Sequence, residues 1–227
     1  HGQGGHGGQP HWGYEGDLGP EKWGDVFPVC GTGKQQSPID IRGPFDKATY
    51  EIKPEFQAGT LKILNNGHTI QINAVPGSKT LINGESFDLL QFHFHRPSEE
   101  RIEGKPSAMV AHFVHKSAGG KLAVVGVLFN EGSENSVIKT IWANAPQTET
   151  PEKVVAETTV NPGALLPKRF HFYSFEGSLT TPPCTEGVTF YILKTPMQMS
   201  RAQIEAFPFK ANARPVQPLN GRKVLAN

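Results

Sequence analysis

The chain has 227 residues, and its 22 Lys and Arg against 21 Asp and Glu give a formal net charge of +1. Charges of both signs are interspersed and leave no basic surface for nucleic acid or an anionic membrane, and the longest apolar run, residues 122–129, is too short to span a bilayer. The 25 Gly and 19 Pro residues favour short strands and long loops over a helical bundle, in one large β-rich domain or two small ones.

The N-terminal residues 1–10 are rich in glycine and are predicted to be disordered. No repeat or linker interrupts residues 11–227, so we predict that they form one domain. Within it, residues 61–73 predict two short strands around an Asn-Asn-Gly turn, and His68 follows that turn. The local pattern leaves open whether His68 is functional or an ordinary surface histidine.

The segment Gln-Phe-His-Phe-His at residues 91–95 alternates polar and aromatic side chains. Side chains in a strand alternate between its two faces. Gln91, His93 and His95 would therefore share one face. Two imidazoles two residues apart on one strand face are well placed to bind a single metal ion.

A third candidate histidine lies in the run of residues 109–115, beyond a predicted turn at residues 103–104. If the two runs form an antiparallel hairpin folded at that turn, His112 lies opposite His95. Opposed residues in such a pair point the same way. The hairpin therefore predicts that His112 joins the first two histidines, whereas His115 faces away from them.

Three histidines without a fourth protein ligand form the pattern of a catalytic zinc site, whose open position holds water. The candidate ligands are His93, His95 and His112. The alternative is three core or surface histidines that bind no metal. Their matching strand face and the hairpin registry favour the zinc site.

The second half of the chain predicts further strands and two short helices. The continuous apolar run over residues 122–129 predicts a central strand buried on both faces. Ser133 or Ser136 is expected to cap one helix and Ser200 a second. The other predictions are a loop over residues 150–168 and strands within residues 170–178 and 188–194.

The two cysteines, Cys30 and Cys184, lie far apart and lack the close spacing of a zinc-binding cysteine motif. They are either free buried thiols or one long-range disulfide. A bridge closing so long a loop would stabilise the fold by roughly 3–5 kcal/mol. We favour the disulfide, and with it an oxidising compartment. No signal peptide is recognisable, and we interpret the sequence as a mature form.

Seven segments, in this order, resemble the α-class carbonic anhydrases. They are HWGYEG (11–16), QSPIDI (36–41), NNGHTI (65–70), QFHFHRPSEE (91–100), AHFVH (111–115), GSLTTPPCTEG (177–187) and RPVQPLN (214–220). The resemblance implies a mainly β (α+β) fold, a single domain around a twisted, mostly antiparallel sheet of about ten strands with short peripheral helices. It also implies a bridge between Cys30 and Cys184, as in secreted bacterial and extracellular members.

The resemblance further implies reversible hydration of CO2 to bicarbonate and a proton, with Zn²⁺ bound by the same three histidines. Zinc lowers the pKa of its bound water to about 7, as is known for carbonic anhydrase itself, and gives hydroxide at neutral pH. Thr180 matches the residue that accepts the hydroxide proton in a hydrogen bond and passes its own to Glu99. Thr181 matches a contact to bicarbonate. The residues that match the apolar CO2 pocket are Val114, Val124, Leu179 and Val188.

His68 matches the family's proton shuttle, which moves a proton from the zinc water to buffer. An imidazole with an ordinary pKa near 6.5 suits this role near neutral pH. Tyr14, Asn66 and Gln71 match polar positions along the water path, although the family often has Asn where Gln71 stands.

Zinc-bound imidazoles need hydrogen-bond acceptors that fix their tautomers. By resemblance, Gln91 serves His93, and the backbone carbonyl of Asn212 serves His95. For His112 the family usually has a Glu two residues earlier, supported by a His and a Tyr. This chain departs from the family at all three of those positions.

The three positions read Val110, Glu100 and Phe175. We hypothesise that Glu100 replaces the missing carboxylate and reaches the free nitrogen of His112. Strict strand alternation would place Glu100 on the wrong face, so the hypothesis requires a bulge near Pro97. The alternative is an exposed Glu100, with a water or a carbonyl serving His112.

The main alternative function is a catalytically silent, carbonic-anhydrase-like binding module. Such relatives typically lose one zinc histidine, whereas this chain keeps all three. A zinc hydrolase acting on esters is a further alternative, and the absence of an HExxH motif argues against a peptidase. We expect a small-molecule partner, CO2 or bicarbonate, and a periplasmic or secreted location. Bacterial relatives include homodimers, but the sequence identifies no interface.

Overall fold

The computed structural model describes residues 10–227, so the predicted disordered tail lies almost wholly outside the described residues. Those residues contain sixteen strands, four α-helices and three 3₁₀ helices. The strands are β1 (Asp40–Ile41), β2 (Asp46–Lys47), β3 (Ile52–Glu55), β4 (Gly59–Asn65), β5 (Ile70–Asn73), β6 (Lys79–Ile82), β7 (Glu85–His95), β8 (Arg101–Ile102), β9 (Lys105–Pro106), β10 (Met109–Ser117), β11 (Leu122–Glu131), β12 (Thr150–Val160), β13 (Phe172–Ser178), β14 (Glu186–Leu193), β15 (Met197–Met199) and β16 (Leu225–Ala226). The α-helices are α1 (Trp23–Val26), α2 (Pro28–Thr32), α3 (Ser136–Asn144) and α4 (Arg201–Ala206), and the 3₁₀ helices are Gly16–Leu18, Pro20–Lys22 and Pro162–Leu165.

One large twisted sheet organises the fold. Within the described residues its ten-strand path runs β12-β4-β5-β7-β10-β11-β14-β13-β16-β2, with β3, β6 and β15 joined at its sides. Most neighbours are antiparallel, and the parallel pairs of this sheet are β11–β14, β11–β15 and β16–β2. The predicted mainly β fold, with about ten mostly antiparallel strands and short peripheral helices, is confirmed.

The central strands of this sheet bury both of their faces. On β7 and β10, Phe92, Phe94 and Phe113 lie in the larger apolar cluster, on the face away from the candidate ligands. The opposite face carries a second apolar cluster around the histidines. The β11 residues from Ala123 to Phe129 are all buried, which confirms the predicted central strand. Rigid strands therefore carry the site.

The pairing of β7 with β10 differs from the predicted register. His112 lies opposite His93, and His95 lies opposite Val110, so the predicted pairing of His95 with His112 is wrong by two residues. The turn does lie at residues 103–104, between β8 and β9. However, the connection from β7 to β8 is longer than that from β9 to β10. Because the shift is an even number of residues, each side chain keeps its predicted face.

The region predicted as a loop at residues 150–168 contains β12, an edge strand paired with β4. That prediction is wrong because the strand is mostly exposed and lacks a buried face, so hydrophobic alternation does not mark it. The pairing has two register shifts, which are common at sheet edges. By contrast, the two strands predicted within residues 61–73 are present as β4 and β5.

The helix caps agree with the sequence in one case and differ in the other. Asn135 caps α3, because its side-chain oxygen accepts hydrogen bonds from the amides of Val137 and Ile138 at 3.0 and 3.1 Å. The prediction of Ser133 or Ser136 is therefore wrong. Asn is an equally strong capping residue, and Asn135 stands between the two serines. Ser200 caps α4 as predicted.

A disulfide joins Cys30 in α2 to Cys184 before β14, as predicted. Its two cysteines are buried in a small cluster with Trp12 and Trp23. None of the helices within residues 10–227 has the length and apolar character needed to cross a membrane.

Candidate metal centre

Three imidazoles converge on the buried face of β7 and β10. One ring nitrogen from each of His93, His95 and His112 lies within 4.8 Å of the other two. The ring centroids are 5.0–5.6 Å apart, and none of the three residues is more than 1% exposed. The structure thus brings together the three histidines that strand alternation placed on one face.

Two of these rings have fixed tautomers. The Nδ1 atom of His93 lies 2.8 Å from the side-chain oxygen of Gln91, and that of His95 lies 2.7 Å from the backbone oxygen of Asn212. A carbonyl oxygen only accepts hydrogen bonds, so each Nδ1 carries the proton and donates it. The lone pair therefore remains on Nε2 of both rings, on the side of the cluster.

His112 has the opposite arrangement. Its Nε2 lies 2.9 and 3.2 Å from the two carboxylate oxygens of Glu100 and donates to them. The lone pair is therefore on Nδ1. Together with the two Nε2 atoms above, this gives three imidazole nitrogens that can offer lone pairs, a donor set that fits zinc.

The surroundings of the rings shift the pKa values of His93 and His95 in one direction and that of His112 in the other. Burial lowers the pKa of His93 and of His95 well below 6.5, and the neighbouring imidazoles act in the same direction. Burial also lowers the pKa of His112, but the Glu100 carboxylate outweighs it and the net shift is upward. His93 and His95 are thus held in the neutral form that binds metal.

Glu99 lies against the same cluster. Its Oε1 atom is 3.3 Å from Nε2 of His95 and 3.8 Å from Nδ1 of His112. Its Oε2 accepts a hydrogen bond from the Arg214 amide at 2.9 Å, and the carboxyl group is also hydrogen-bonded to the Thr180 side chain. Burial raises the pKa of Glu99 to about 8, partly opposed by His112. A divalent cation among the rings would favour its ionised form.

Glu100 is fully buried, so the alternative of an exposed side chain is wrong. The predicted bulge near Pro97 is also wrong, because β7 ends at His95 and strand alternation does not extend to Glu100. The irregularity in this strand pair lies earlier in β7, where Leu90 is the extra residue opposite the step from Val114 to His115.

The predicted pocket residues are buried beside His112. They belong to one apolar cluster with Phe190, whose ring meets His112 edge-on at 6.0 Å. The hydroxyl of Thr181 is also buried and has no hydrogen-bond partner within residues 10–227. The cluster contains all four predicted residues, Val114, Val124, Leu179 and Val188.

His68 packs on an aromatic ring. Its imidazole stacks on Trp12 with a centroid distance of 3.6 Å and an interplanar angle of 8°. Its backbone carbonyl accepts a hydrogen bond from the Asn212 side chain at 2.9 Å, and the same Asn212 serves His95 through its own carbonyl. The Asn66 side-chain oxygen accepts from the His68 amide and fixes the turn.

The other two predicted polar residues lie near this region. Gln71 on β5 pairs with His93 on β7, and its amide donates to Asn73 at 2.9 Å. Burial, followed by the Glu99 carboxylate, raises the pKa of Tyr14 well above its usual range. Both side chains thus belong to the surroundings of the histidine cluster.

Two supporting residues were not predicted from the sequence. The Arg214 guanidinium is buried and donates to Gln36 and to backbone carbonyls, and it lies 5.6 Å from the centre of the Trp23 ring. Ser98 is buried beside Glu100 and donates to its carbonyl at 2.7 Å. Neither residue is part of a periodic hydrophobic pattern. The sequence marks them only by their place in the RPVQPLN and RPSEE segments, which resemble the family.

Comparison with known proteins identifies the family of this chain. The family model for eukaryotic-type carbonic anhydrases matches residues 18–227. Carbonic anhydrases from Pectobacterium carotovorum and Neisseria gonorrhoeae are 46% and 44% identical, covering 95% and 97% of this chain and 90% and 89% of theirs. The α-carbonic anhydrase of Thermovibrio ammonificans, solved with the inhibitor sulfanilamide, has a TM-score of 0.91 at 41% identity, covering 96% of this chain and 100% of that one. The family model and these relatives show that the chain belongs to the eukaryotic-type, or α-class, carbonic anhydrase family.

Proposed function

We propose that this chain catalyses the reversible hydration of CO2 to bicarbonate and a proton, with Zn²⁺ bound by His93, His95 and His112. The observation that supports the proposal most strongly is the convergence of three imidazole lone pairs in a buried site. Each ring's opposite nitrogen is committed to an acceptor. When bound, zinc supplies a Lewis acid that lowers the pKa of a coordinated water to about 7, a value known from carbonic anhydrase itself.

We assign Thr180 the role of orienting the attacking oxygen. An ionised Glu99 can only accept hydrogen bonds, so the Thr180 hydroxyl donates its proton to that carboxylate. Its oxygen then offers only lone pairs to a second partner. The Arg214 amide, at 2.9 Å, holds the Glu99 carboxylate in place. Thr180 therefore selects an attacking group that can donate a proton, and turns that group's lone pair towards CO2.

The buried apolar cluster beside His112 suits CO2, which is linear and nonpolar. Its walls exclude water from the reacting face and strengthen electrostatic effects there. The buried Thr181 hydroxyl supplies a polar contact for bicarbonate, because within residues 10–227 it has no other hydrogen-bond partner. The proposed substrate pocket consists of Val114, Val124, Leu179 and Val188.

His68 is the proposed proton shuttle. Trp12 supports one face of its ring, and the Asn66 turn fixes its backbone. An imidazole accepts and releases protons near neutral pH. It can therefore carry the proton that each CO2 hydration releases from the active site to the buffer. Tyr14 and Gln71 are proposed to line the water path.

We further propose that residues 11–227 form a single catalytic domain in a periplasmic or secreted protein. The disulfide supports this location, because disulfides persist in oxidising compartments.

The silent binding module is the second candidate function. Dioscorin, solved with ascorbate, has a TM-score of 0.86 at 28% identity, covering 96% of this chain and 98% of that one, so proteins of this fold bind other small molecules. The three retained histidines, with Thr180 and Glu99, favour catalysis.

Stopped-flow CO2 hydration, with zinc quantified on the same sample, tests the proposal. We expect one zinc per chain, loss of turnover on chelation and recovery on adding zinc. His112→Ala should lose both zinc and turnover. His171→Gln removes an exposed histidine and is the matched control. Bound zinc without turnover would favour the silent module, and a chain that binds no zinc would refute the proposal.

A further inference from the structure

We infer that Glu100, held by Ser98, is the residue that orients His112 towards the metal. The orienting carboxylate thus comes from the segment between β7 and β8 and not from β10, the strand that carries the ligand. This inference rests on the proposed zinc site and adds a positioning pair to it.

The contact between Glu100 and His112 has the geometry of a fixed hydrogen bond. Nε2 of His112 is 2.9 Å from one carboxylate oxygen and 3.2 Å from the other, and both side chains are fully buried. A carboxylate acceptor in a buried site forms a strong hydrogen bond. This hydrogen bond keeps the proton on Nε2. The lone pair is therefore on Nδ1, where it can bind a metal ion together with the nitrogens of His93 and His95.

The strand that carries His112 offers no comparable group nearby. Val110 lies two residues earlier on the same face of β10 and is part of the apolar cluster. Phe175 and Phe190 stack at a centroid distance of 5.2 Å and an interplanar angle of 3°, and Phe190 meets the His112 ring edge-on. Apolar side chains fill this side of the ligand, so these three residues supply no acceptor.

Ser98 fixes the backbone of Glu100 from one side. Its hydroxyl donates to the Glu100 carbonyl at 2.7 Å and accepts from the Ser107 amide at 2.8 Å, while its own amide donates to the Ser107 carbonyl. On the other side, Arg101 pairs in parallel with Asp40 of β1. The peptide group between Glu100 and Arg101 is therefore fixed by Ser98 on one side and by β1 on the other. Such support is needed if the Glu100 side chain is to orient His112 precisely.

The neighbouring residue strengthens the argument. Glu99 lies 3.8 Å from Nδ1 of His112, whereas Glu100 contacts Nε2 of the same ring. Two consecutive residues thus approach the two nitrogens of one imidazole. The segment that orients the ligand also carries the carboxylate hydrogen-bonded to Thr180. A loosened segment should therefore weaken zinc binding and disturb the Thr180 hydrogen bond together.

The test measures zinc affinity by chelator competition, which needs no turnover. We expect Glu100→Ala to weaken zinc binding by about 10–100-fold and Glu100→Gln by about tenfold, because an amide oxygen accepts without charge. The zinc affinity of Ser98→Ala should lie between that of wild type and that of Glu100→Ala. Glu103→Gln removes a nearby exposed carboxylate and should bind zinc like wild type. Imidazole ¹⁵N spectra of the metal-free protein should show His112 protonated on Nε2 in wild type and as a tautomer mixture in Glu100→Ala.

A relocation variant separates orientation from simple structural damage. Position 110 shares the face of His112, so Glu100→Ala combined with Val110→Glu should recover at least part of the lost affinity and the Nε2-protonated tautomer. The inference is overturned if Glu100→Ala, or Glu100→Gln should the first variant fail to fold, binds zinc like wild type and keeps the tautomer. Wild-type protein that binds zinc but does not hydrate CO2 would instead refute the proposed function alone.

Discussion

Protonation of a buried histidine outside the metal site is expected to destabilise the fold in mild acid. His115 lies on the face of β10 away from the candidate ligands. Its Nδ1 is 2.8 Å from the Phe113 carbonyl, and its Nε2 is 2.8 Å from the Thr80 hydroxyl. The carbonyl only accepts, so Nδ1 carries the proton and Nε2 accepts from Thr80. A second proton on Nε2 would require the Thr80 hydroxyl to turn and accept, and it would place a positive charge in a fully buried site.

The magnitude follows from the pKa of this group. Burial lowers the pKa of His115 to about 4, from an ordinary value of 6.5. Each tenfold change in proton affinity corresponds to 1.36 kcal/mol, so the difference amounts to about 3 kcal/mol. Between these two pH values the unfolded chain binds a proton that the folded chain does not. The contribution is therefore complete above pH 6.5 and is lost as the pH falls to about 4.

Urea unfolding measured from pH 7 to pH 4 tests this expectation on wild type and on His115→Gln. The free energy of unfolding of wild type should fall by about 3 kcal/mol more than that of the variant over this range. Phe56→Leu is the matched control, because it truncates a ring 5.7 Å from His115 without removing a titratable group. It should lower stability at every pH and keep the wild-type slope. Parallel curves for wild type and His115→Gln would refute the argument.

Three further predictions concern other parts of the molecule. Replacing Cys30 and Cys184 by Ala should reduce the free energy of urea unfolding by about 5 kcal/mol, because the bridge joins residues 154 positions apart; a loss below about 1 kcal/mol would contradict the loop-entropy reasoning. His68→Ala should slow CO2 hydration in weak buffer, retain zinc and regain turnover with added imidazole, whereas unchanged turnover would remove His68 from proton transfer. Asn135→Ala should lower stability by about 1 kcal/mol through loss of the α3 cap, and an unchanged melting curve would count against that cap.

Strand periodicity explains why the histidine cluster could be predicted and its register could not. Alternation depends only on neighbouring residues, so His93 and His95 were placed on one face without knowledge of the fold. The residue that lies opposite His112 depends on the lengths of the β7–β8 and β9–β10 connections. These lengths are unequal, and no local sequence pattern predicts them. The error was an even number of residues and therefore left the shared face intact.

The remaining differences have similar physical causes. Strand β12 lies at a sheet edge with mostly exposed side chains, so no hydrophobic pattern marks it. Glu100 follows the end of β7, where alternation no longer predicts a direction, and the sequence left its contact open. The buried Arg214 was missed because its partners, among them Gln36 and the Cys30 carbonyl, come from distant parts of the chain.

The disulfide has a consequence for when the active site matures. Cys184 follows the Thr180 segment closely, its amide donates to the Thr181 carbonyl, and its own carbonyl accepts from Gln36. The bridge to Cys30 therefore ties the segment that carries Thr180 to the N-terminal helices. A chain whose thiols are still reduced should keep the histidine cluster of β7 and β10, while the segment of Thr180 and Thr181 lacks one of its anchors. Formation of the bridge would then complete the anchoring of this segment.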